Sequence, residues 1–412
     1  MRSVKSSKFL TPILLAFLIA YISASAPAQT FKVLHTFTGA PKDGEAPVGA
    51  LVRDAAGNLY GVTNLGGSGT CGQFTCGTVY MLTKSGKEVG VFSFTGQDGT
   101  FPEAGLFRDA AGNLYGTTEQ GGVHGCNNNP PGCGTIFQLN KTGNKIRYFS
   151  FAGTNGETPE SPLIEVSGSL YSTTSFGGTD GFGTVYKINT TGKETILYSF
   201  EGASDGCDPY AGVTADSKGN LYGVASSDGC NGSGAAYEID TAGNFHLLYQ
   251  FIGFVGSEPD SPMIFDSQGN LYGTAAIGGS SDQCSGGCGT VFELSQQNGT
   301  WLGHRLYSFC SLPDCADGEE PVGSLVRDNK TGNLYGATFF GDAYGYGTVF
   351  ELDPSGHETV LYSFTGASDG AYPGGGLTMD ASGNLYGVAL SGGDISCNVQ
   401  LGGCGVVFEL TP

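Results

Sequence analysis

Seven prolines recur at corresponding places along the chain, and the residue after each of them is where the sequence offers chemistry. These following residues are Val48, Glu103, Glu160, Tyr210, Asp260, Val322 and Gly374. Three of them are acidic, and converging oxygen ligands are what Ca²⁺ accepts. We therefore take Glu103, Glu160 and Asp260 as a candidate calcium site. Tyr210 shares their position and joins them as a candidate binding residue, and apart from calcium the sequence predicts no cofactor.

A second set of carboxylates stands shortly before the same prolines, in Asp-Gly pairs that are followed three residues later by Pro. Its members are Asp43, Asp98, Asp205, Asp317 and Asp369. Because Asp-Gly is a strong turn dipeptide, we expect most of these residues to shape turns. The alternative is a rim of carboxylates that binds cations or sugar hydroxyl groups, with Asp98, Asp205 and Asp369 as the candidate binding residues.

The elements that would position these side chains are units of a repeat. The motif Asp-Ala-Ala-Gly-Asn-Leu-Tyr-Gly at residues 109–116 returns in close copies, at a spacing of roughly 50 to 60 residues. The Asn position of the seven copies is occupied by Asn58, Asn113, Ser169, Asn220, Asn270, Asn333 and Asn384. In each copy the Asp and Gly predict a turn. The third copy lacks the Asp, so we expect its turn to be looser.

Each repeat contains four segments of strand length that are rich in aromatic and β-branched residues, which predicts an all-β unit. A four-stranded meander cannot bury both of its faces alone, but a ring of such sheets can. We therefore predict an all-β fold, a seven-bladed β-propeller of four-stranded antiparallel blades with the first segment innermost. The chain starts with a fourth segment and stops with a third, so pairing of the N- and C-terminal strands should close the ring.

Strand alternation assigns the Asp-containing turns to one face of this ring and the variable loops to the other, with the residues after the prolines at the mouth of the central channel. The variable face is the candidate binding face. Its aromatic residues either stack on sugar rings or seal the blade tips, and they are Phe74, Phe101, Phe182, Tyr210, Tyr344, Tyr346 and Tyr372.

The twelve cysteines fall mostly into close neighbours, which favours disulfides. The expected pairs are Cys71 with Cys76, Cys126 with Cys133, Cys207 with Cys230, Cys284 with Cys288, Cys310 with Cys315, and Cys397 with Cys404. All would lie on the variable face. The competing hypothesis is zinc, which needs four converging ligands, whereas each pair offers two thiols with the next pair a repeat away.

The N-terminus has Arg2, Lys5 and Lys8 ahead of a short apolar run and a small-residue site at Ala26-Pro27-Ala28, which predicts a secretory signal peptide over residues 1–28. The remainder, residues 29–412, would form one propeller domain. We therefore expect a secreted or periplasmic monomer without a membrane span after cleavage. The formal net charge of −20 disfavours nucleic acid and anionic membranes as partners.

Enzyme signatures are scarce. Three of the five histidines fall in or beside outer strands, His124 lies in a variable loop, and the sequence lacks a phosphate-binding Gly-Lys-Ser, a His-Glu-x-x-His and a nucleophile elbow. We therefore name no catalytic residue.

Four submotifs recur in fixed order, for example Gly-Thr-Val-Phe at 347–350, Leu-Tyr-Ser-Phe-Thr-Gly at 361–366, Asp-Gly at 369–370 with Pro373, and Asn-Leu-Tyr-Gly at 384–387. From about Phe31 to Leu410 the chain resembles the Gloeo/Verruco (GloVer) tandem-repeat family of secreted bacterial proteins. Members of that family often end in a surface anchor, and this chain stops at Thr411-Pro412, which implies release or periplasmic residence. The resemblance implies no catalytic residues.

The leading hypothesis is a non-catalytic binding propeller whose partner is extracellular carbohydrate or an envelope protein. The alternative is a polysaccharide lyase or hydrolase that uses the acidic residues of the variable face. A lyase acting beside a uronate needs a cationic group, and this face offers few Lys or Arg. A third hypothesis is a purely structural surface protein.

Overall fold

A computed structural model describes residues 29–123, 125–126, 132–202, 205–226, 232–398, 400 and 402–412. The N-terminal strand is β1 (Thr30–Thr36). Blade 1 follows with β2 (Gly44–Arg53), β3 (Leu59–Gly66), the small hairpin β4 (Thr70–Cys71) and β5 (Phe74–Thr75), β6 (Thr78–Leu82) and β7 (Glu88–Ser93). Blade 2 contains β8 (Phe107–Arg108), β9 (Leu114–Thr118), β10 (Thr135–Leu139) and β11 (Lys145–Ser150).

The next three blades repeat this order. Blade 3 contains β12 (Ile164–Val166), β13 (Ser169–Thr174), β14 (Thr184–Ile188) and β15 (Glu194–Ser199). Blade 4 contains β16 (Val213–Ala215), β17 (Leu221–Ala225), β18 (Ala235–Ile239) and β19 (Phe245–Gln250). Blade 5 contains β20 (Ile264–Phe265), β21 (Leu271–Ala275), β22 (Thr290–Gln297) and β23 (Thr300–Ser308).

The last two blades complete the ring. A 3₁₀ turn at Pro313–Cys315 precedes blade 6, which contains β24 (Glu319–Arg327), β25 (Leu334–Phe340), β26 (Thr348–Leu352) and β27 (Glu358–Ser363). Blade 7 contains β28 (Ala371–Pro373), β29 (Thr378–Met379), β30 (Leu385–Ser391), β31 (Val406–Thr411) and, as its outer strand, β1. The predicted seven-bladed propeller of antiparallel four-stranded sheets is confirmed.

Ring closure occurs where the sequence predicts it. Strand β1 pairs antiparallel with β31, from Thr30 opposite Thr411 to Thr36 opposite Val406. The N-terminal strand thereby hides the edge that β31 would otherwise expose. The first strands of the blades are innermost, and they approach one another through glycines. A Cβ on Gly49 of blade 1, for instance, would lie 2.4 Å from the Gly105 nitrogen of blade 2.

The Asp turns join the first two strands of each blade. In blade 2 the Asp109 carboxylate accepts hydrogen bonds from the backbone nitrogen and the side-chain amide of Asn113, both at 2.7 Å, and from the Tyr115 hydroxyl at 3.2 Å. The third copy, without this Asp, is shorter rather than looser. Val166 and Ser169 pair directly across Ser167 and Gly168, whose positive φ angles of 51° and 78° suit a two-residue hairpin.

An aromatic contact recurs in the core between each pair of neighbouring blades, seven times in all. In each seam a phenylalanine after the outer strand of one blade meets the third-strand aromatic ring of the next, edge to face, as Phe94 meets Phe137 at 5.0 Å and 67°. Both rings are buried. Such pairs contribute about 0.5–1.5 kcal/mol each beyond their buried area. The motif glycine makes room for the ring, since a Cβ on Gly116 would lie 2.5 Å from Phe137 Cζ.

Candidate functional site

Each blade is entered through an elbow, formed by a residue in the left-handed region and the proline that follows it. The seven left-handed residues have φ angles from 51° to 59°. They are Ala46, Phe101, Thr158, Asp208, Glu258, Glu320 and Tyr372. None is glycine, so each elbow costs backbone strain that the surrounding structure must offset.

Contacts with the preceding blade hold the elbows. The Phe101 nitrogen donates to the Cys76 carbonyl at 3.2 Å, and the Pro102 ring covers Gly77, whose Cβ would lie 2.7 Å from Pro102 Cδ. The same proline-on-glycine contact occurs at all seven seams, including Pro47 of blade 1 on Gly405 of blade 7. The elbows therefore link the blades and aim the residue after each proline at the channel mouth.

Four acidic side chains, two from blade 2 and one each from blades 3 and 5, act electrostatically on the Tyr210 phenol of blade 4 at this mouth. Burial raises the pKa of Tyr210, and the charges of Glu103, Glu160, Asp260 and Glu119 raise it further. The Tyr210 side chain nevertheless stays 41% exposed, as expected for a ring in a concave, solvent-facing site. We call Glu103, Glu119, Glu160, Tyr210 and Asp260 the acidic mouth. The structure thus brings together the four residues that the sequence analysis selected at this position.

The carboxyl groups of the acidic mouth hold protons more strongly than usual. Burial raises the pKa of Glu103 well above its ordinary value, and Glu119 and Glu160 add to the effect. Burial, with Glu119 next, raises the pKa of Glu160 to about 8. Burial raises the pKa of Asp260 to about 7. At neutral pH Glu160 and Asp260 are therefore partly or largely protonated, so they can donate as well as accept hydrogen bonds.

Few protein groups satisfy these carboxyls. Asn64 Nδ2 donates to Glu103 Oε1, and Ser175 Oγ donates to Glu160 Oε2 at 3.2 Å. Asp260 Oδ1 is buried and has no hydrogen-bond partner among the described residues. None of the salt bridges found in the described part of the chain involves the acidic mouth. The site therefore has hydrogen-bonding capacity left for a ligand.

Sequence reasoning missed several acidic neighbours. Glu119 directly follows the second strand of blade 2, and Asp208, Glu258 and Glu320 are elbow residues that act electrostatically on Glu160 or Asp260. The available signal was the residue before each proline, which is acidic in three of the seven repeats. The sequence analysis selected only the residue after each proline, so it did not identify these acidic neighbours.

The Asp-Gly carboxylates lie in the links between blades, where turn groups use them. Asp98 Oδ1 accepts from the Thr95 nitrogen at 2.8 Å, and its Oδ2 is 3.0 Å from Lys145 Nζ. Asp205 and Asp369 each accept from a backbone nitrogen and from a tyrosine hydroxyl. These contacts are of the kind expected for carboxylates that shape turns.

The variable-face aromatics divide into two groups. Phe101 is buried, Phe182 covers Gly202, Tyr372 stacks on Phe339 at 5.2 Å, and Tyr346 packs edge-on against Tyr372, so these four seal blade tips. Phe74, Tyr210 and Tyr344 remain exposed, and sequence reasoning missed two further exposed rings, Phe176 and Phe254. Phe74, Phe176, Tyr210 and Tyr344 are thus exposed at the acidic mouth and in the surrounding loops, whereas the Arg305 guanidinium lies over the Phe254 ring at 3.9 Å.

Five of the six expected disulfides are present, at Cys71–Cys76, Cys126–Cys133, Cys284–Cys288, Cys310–Cys315 and Cys397–Cys404. The pairing of Cys207 with Cys230 falls outside the described residues because Cys230 does, and so does His124. The Cys284–Cys288 and Cys310–Cys315 disulfides lie closer to each other than the sequence suggests, since Cys284 Sγ is 3.8 Å from Cys310 Sγ. Both are nevertheless closed as disulfides, so their sulfurs do not form a tetrathiolate zinc site.

The residues of the candidate calcium site do not form a compact set of ligands. Among the described residues, two groups place three or more ligand atoms within 4.8 Å of one another, the four cysteines above and a set of His35, Asp43 and Glu88. Glu103, Glu160 and Asp260 are not such a group. Their ligand atoms do not all lie within 4.8 Å of one another, although all three carboxyls act electrostatically on Tyr210.

The fold and site define a seven-bladed β-propeller with an acidic channel mouth. Within that class, the chain belongs to the Gloeobacter/Verrucomicrobia repeat family, whose matches span residues 21–214 and 191–408. The GloVer resemblance is thereby confirmed. No curated protein sequence matches the chain. None of the described residues forms a helix long and apolar enough to cross a bilayer.

Solved structures share the fold at low identity. A chain of the mitotic checkpoint complex is 11% identical with a TM-score of 0.56, covering 98% of this chain and 99% of that chain. Puromycin hydrolase is 13% identical with a TM-score of 0.50, covering 84% of this chain and 50% of that chain. The gluconolactonase XC5397 from Xanthomonas campestris is 13% identical with a TM-score of 0.44, covering 93% and 89%. These likenesses concern the fold alone.

Proposed function

We propose that this protein is an exported, non-catalytic propeller that binds uncharged carbohydrate at the acidic mouth. The observation that carries the proposal is the exposed Tyr210 ring among carboxyl groups from neighbouring blades. Sugar rings stack on aromatic faces, and their hydroxyl groups both donate to carboxylates and accept from protonated carboxyls. An anionic polymer fits less well, because the mouth carries negative or neutral groups.

The surrounding loops support the same function. The exposed rings of Phe74, Phe176 and Tyr344 lie in the loops between second and third strands, and Phe254 lies in a link between blades. Four disulfides end at the cysteine whose carbonyl anchors an elbow, for example Cys133, which accepts from Thr158. Loops fixed in this way lose little entropy on binding. The disulfides also fit an oxidising compartment, secreted or periplasmic.

A glycan array, followed by product analysis on every hit, tests this proposal. The wild-type protein should bind neutral glycans without turnover, and Tyr210→Ala should weaken binding at least tenfold. Leu247→Ala, at an exposed residue on an outer strand, is the matched control and should bind like wild type. If the array is silent while an envelope protein binds with the same dependence on Tyr210, the partner is a protein and the carbohydrate proposal is wrong.

A second candidate is hydrolysis of a polysaccharide, because carboxyls with raised pKa values can act as general acids. Glu103 and Glu160 are the residues to examine. On this hypothesis Glu160→Gln would abolish product formation and keep glycan binding. Under the leading proposal neither the wild-type protein nor the variant forms product.

Calcium binding by Glu103, Glu160 and Asp260 remains a prediction from the sequence. Titration calorimetry of the folded protein with millimolar CaCl₂ measures it directly. Heat that disappears in the Asp260→Asn variant would support the site. Heat that is absent from the wild-type protein would exclude it.

A further inference from the structure

Each seam between consecutive blades brings together three positions of the repeat. These are an aromatic residue on the outer strand of one blade, the Asp-Gly position of the link, and a residue at the start of the next outer strand. Between blades 6 and 7, the Tyr362 hydroxyl donates to Asp369 at 3.0 Å, and the Tyr362 ring stacks on Phe31 at 3.7 Å. The three positions therefore form one contact.

Other seams satisfy the same positions with complementary partners. Between blades 1 and 2, Lys145 Nζ lies 3.0 Å from the Asp98 carboxylate. Between blades 2 and 3, Asn155 Nδ2 donates to Glu194 at 2.9 Å. At these seams the residue on the following outer strand matches the link residue in charge or in hydrogen bonding.

The seam that closes the ring, between blades 7 and 1, departs from this pattern. His35 stands where other blades have Tyr or Phe, Asp43 is the link residue, and Glu88 begins the outer strand of blade 1. His35 Nε2 is buried without a hydrogen-bond partner among the described residues, and its distance of 3.6 Å to Asp43 Oδ2 exceeds a hydrogen bond. One ligand nitrogen and two carboxylate oxygens lie within 4.8 Å of one another.

We propose that His35, Asp43 and Glu88 form a binding site for a divalent metal ion of the zinc class at the closure of the propeller ring. An imidazole with two carboxylates is a donor set that Zn²⁺ accepts. The ion would supply the positive partner that Lys145 supplies to Asp98 at the next seam.

The separation of His35 and Asp43 is close to that of two ligands of one ion, and the Glu88 oxygen lies within 4.8 Å of both. Zn–N and Zn–O bonds of about 2.0–2.2 Å place neighbouring tetrahedral ligands roughly 3.4 Å apart, and His35 Nε2 and Asp43 Oδ2 are 3.6 Å apart. The backbone nitrogens of Thr38 and Gly44 donate to Asp43 at 2.8 and 2.7 Å, which orients the carboxylate as outer-shell contacts do in metal sites.

An entry path and a free coordination position are also present. Asp43 and Glu88 line an open cavity of about 250 Å³ whose other lining residues include Lys42, glycines, serines and apolar side chains. Three protein ligands beside such a cavity leave a fourth position for water. The ion would join β1, the link and β7, and would thus fasten the N-terminal strand to the first blade.

The seam between blades 5 and 6 provides a natural comparison. It also has two carboxylates, Asp317 and Glu358, but its aromatic residue is Tyr307, whose hydroxyl donates to Asp317 at 2.7 Å. Histidine at the closing seam provides a ligand nitrogen instead.

The test uses the purified protein under non-reducing conditions, after treatment with a chelator and its removal. Zn²⁺ titrated by calorimetry should bind with one site per chain and raise the melting temperature. Co²⁺ should give the absorption of a nitrogen- and oxygen-ligated site without sulfur-to-cobalt charge transfer, which separates it from any cysteine site.

In two variants the closing seam receives a residue that occupies the equivalent position of another seam. Each substitution is therefore matched to a contact that the fold already contains. His35→Tyr reproduces the aromatic position of blade 6, and Glu88→Lys reproduces the Lys145 pairing. Each should fold, as circular dichroism reports, and should weaken Zn²⁺ binding by more than the roughly 10- to 100-fold typical of outer-shell changes. Absence of stoichiometric binding by wild type, or equal binding by His35→Tyr, overturns the proposal. If a variant does not fold, the wild-type cobalt spectrum decides alone.

Discussion

The two faces of the propeller carry the same acidic residue types in opposite chemical states. On the turn face, burial would raise the pKa of Asp109, but hydrogen bonds from Asn113 and Tyr115 outweigh it, so the pKa falls below its ordinary value. On the mouth face, burial and Glu119 raise the pKa of Glu160 to about 8. Asp109 is therefore charged and satisfied at neutral pH, whereas Glu160 largely holds its proton.

This difference separates structural acids from candidate functional acids by surroundings rather than by recurrence. The Asp of the turn recurs because its carboxylate closes a loop in its own blade. The mouth carboxyls are buried among like charges and cost stability. Carboxyls with raised pKa values in a concave site are candidates for ligand binding or catalysis, which is the basis of the function proposed above.

The largest expected effect contrasts a glycine on each face. A Cβ on Gly134 would lie 2.3 Å from Pro159 Cδ and 2.6 Å from the Thr118 carbonyl oxygen, whereas a Cβ on Gly243, in a turn of the opposite face, meets nothing within 4 Å. Both have positive φ. Gly134→Ala should cost about 3–4 kcal/mol and Gly243→Ala about 1–2 kcal/mol. Urea unfolding measures both, and equal costs would mean that the elbow contact is soft.

The next effect concerns the turn itself. Asp109→Ala removes the acceptor for the backbone and side-chain amides of Asn113, and we expect a loss of about 1–3 kcal/mol. In the third repeat, Glu165 makes an exposed contact with the Gly168 nitrogen. Glu165→Ala should change the unfolding free energy by less than about 0.5 kcal/mol. Similar losses at both sites would remove the distinction between the two turn types.

The architecture could be predicted from the sequence because the same four strand segments and turn motif recur in seven repeats. Strand segments, the Asp turns and the closure of β1 on β31 all follow from local chemistry and the order of the segments. The left-handed conformation of the elbow residues could not be predicted in this way. Residues such as Phe101 and Glu320 have no intrinsic preference for positive φ, and their conformation depends on a proline that packs on a glycine of the preceding blade.

The candidate site was recovered in part. The position after the proline selected Glu103, Glu160, Tyr210 and Asp260, and in the structure the three carboxyls act electrostatically on Tyr210; their role as a binding site stays a prediction. Exposure of the aromatics was not visible, because Tyr346 and Tyr372 cover each other while Tyr344 stays open. Which ring covers which depends on contacts across the seam between blades, and the spacing of residues in the sequence does not contain them.

A pH series tests the two chemical states directly. For Glu160 the ordinary pKa of 4.5 rises to about 8 on folding, so its protonation favours the folded state below pH 4.5 and that advantage is lost as the pH rises toward 8. Glu160→Gln should therefore match wild type at pH 4 and exceed its unfolding free energy at pH 8.5, with the difference growing as the pH rises from 4.5 to 8. Asp109→Asn should behave oppositely, with its loss greatest at neutral pH and smallest in acid. Parallel pH profiles for the two variants would contradict the comparison.

The smallest expected effect on stability separates exposed rings from packed ones. Tyr344 is 60% exposed, so Tyr344→Ala should change the unfolding free energy by no more than about 0.5 kcal/mol and the melting temperature very little. If the loops around the acidic mouth contact sugar, the same variant should still weaken glycan binding. Ile395 is 62% exposed in a loop of the neighbouring blade and has no aromatic face, so Ile395→Ala should alter neither quantity. Equal loss of binding in both variants would indicate a general apolar contact, which favours a protein partner, because stacking on sugar rings requires the aromatic face.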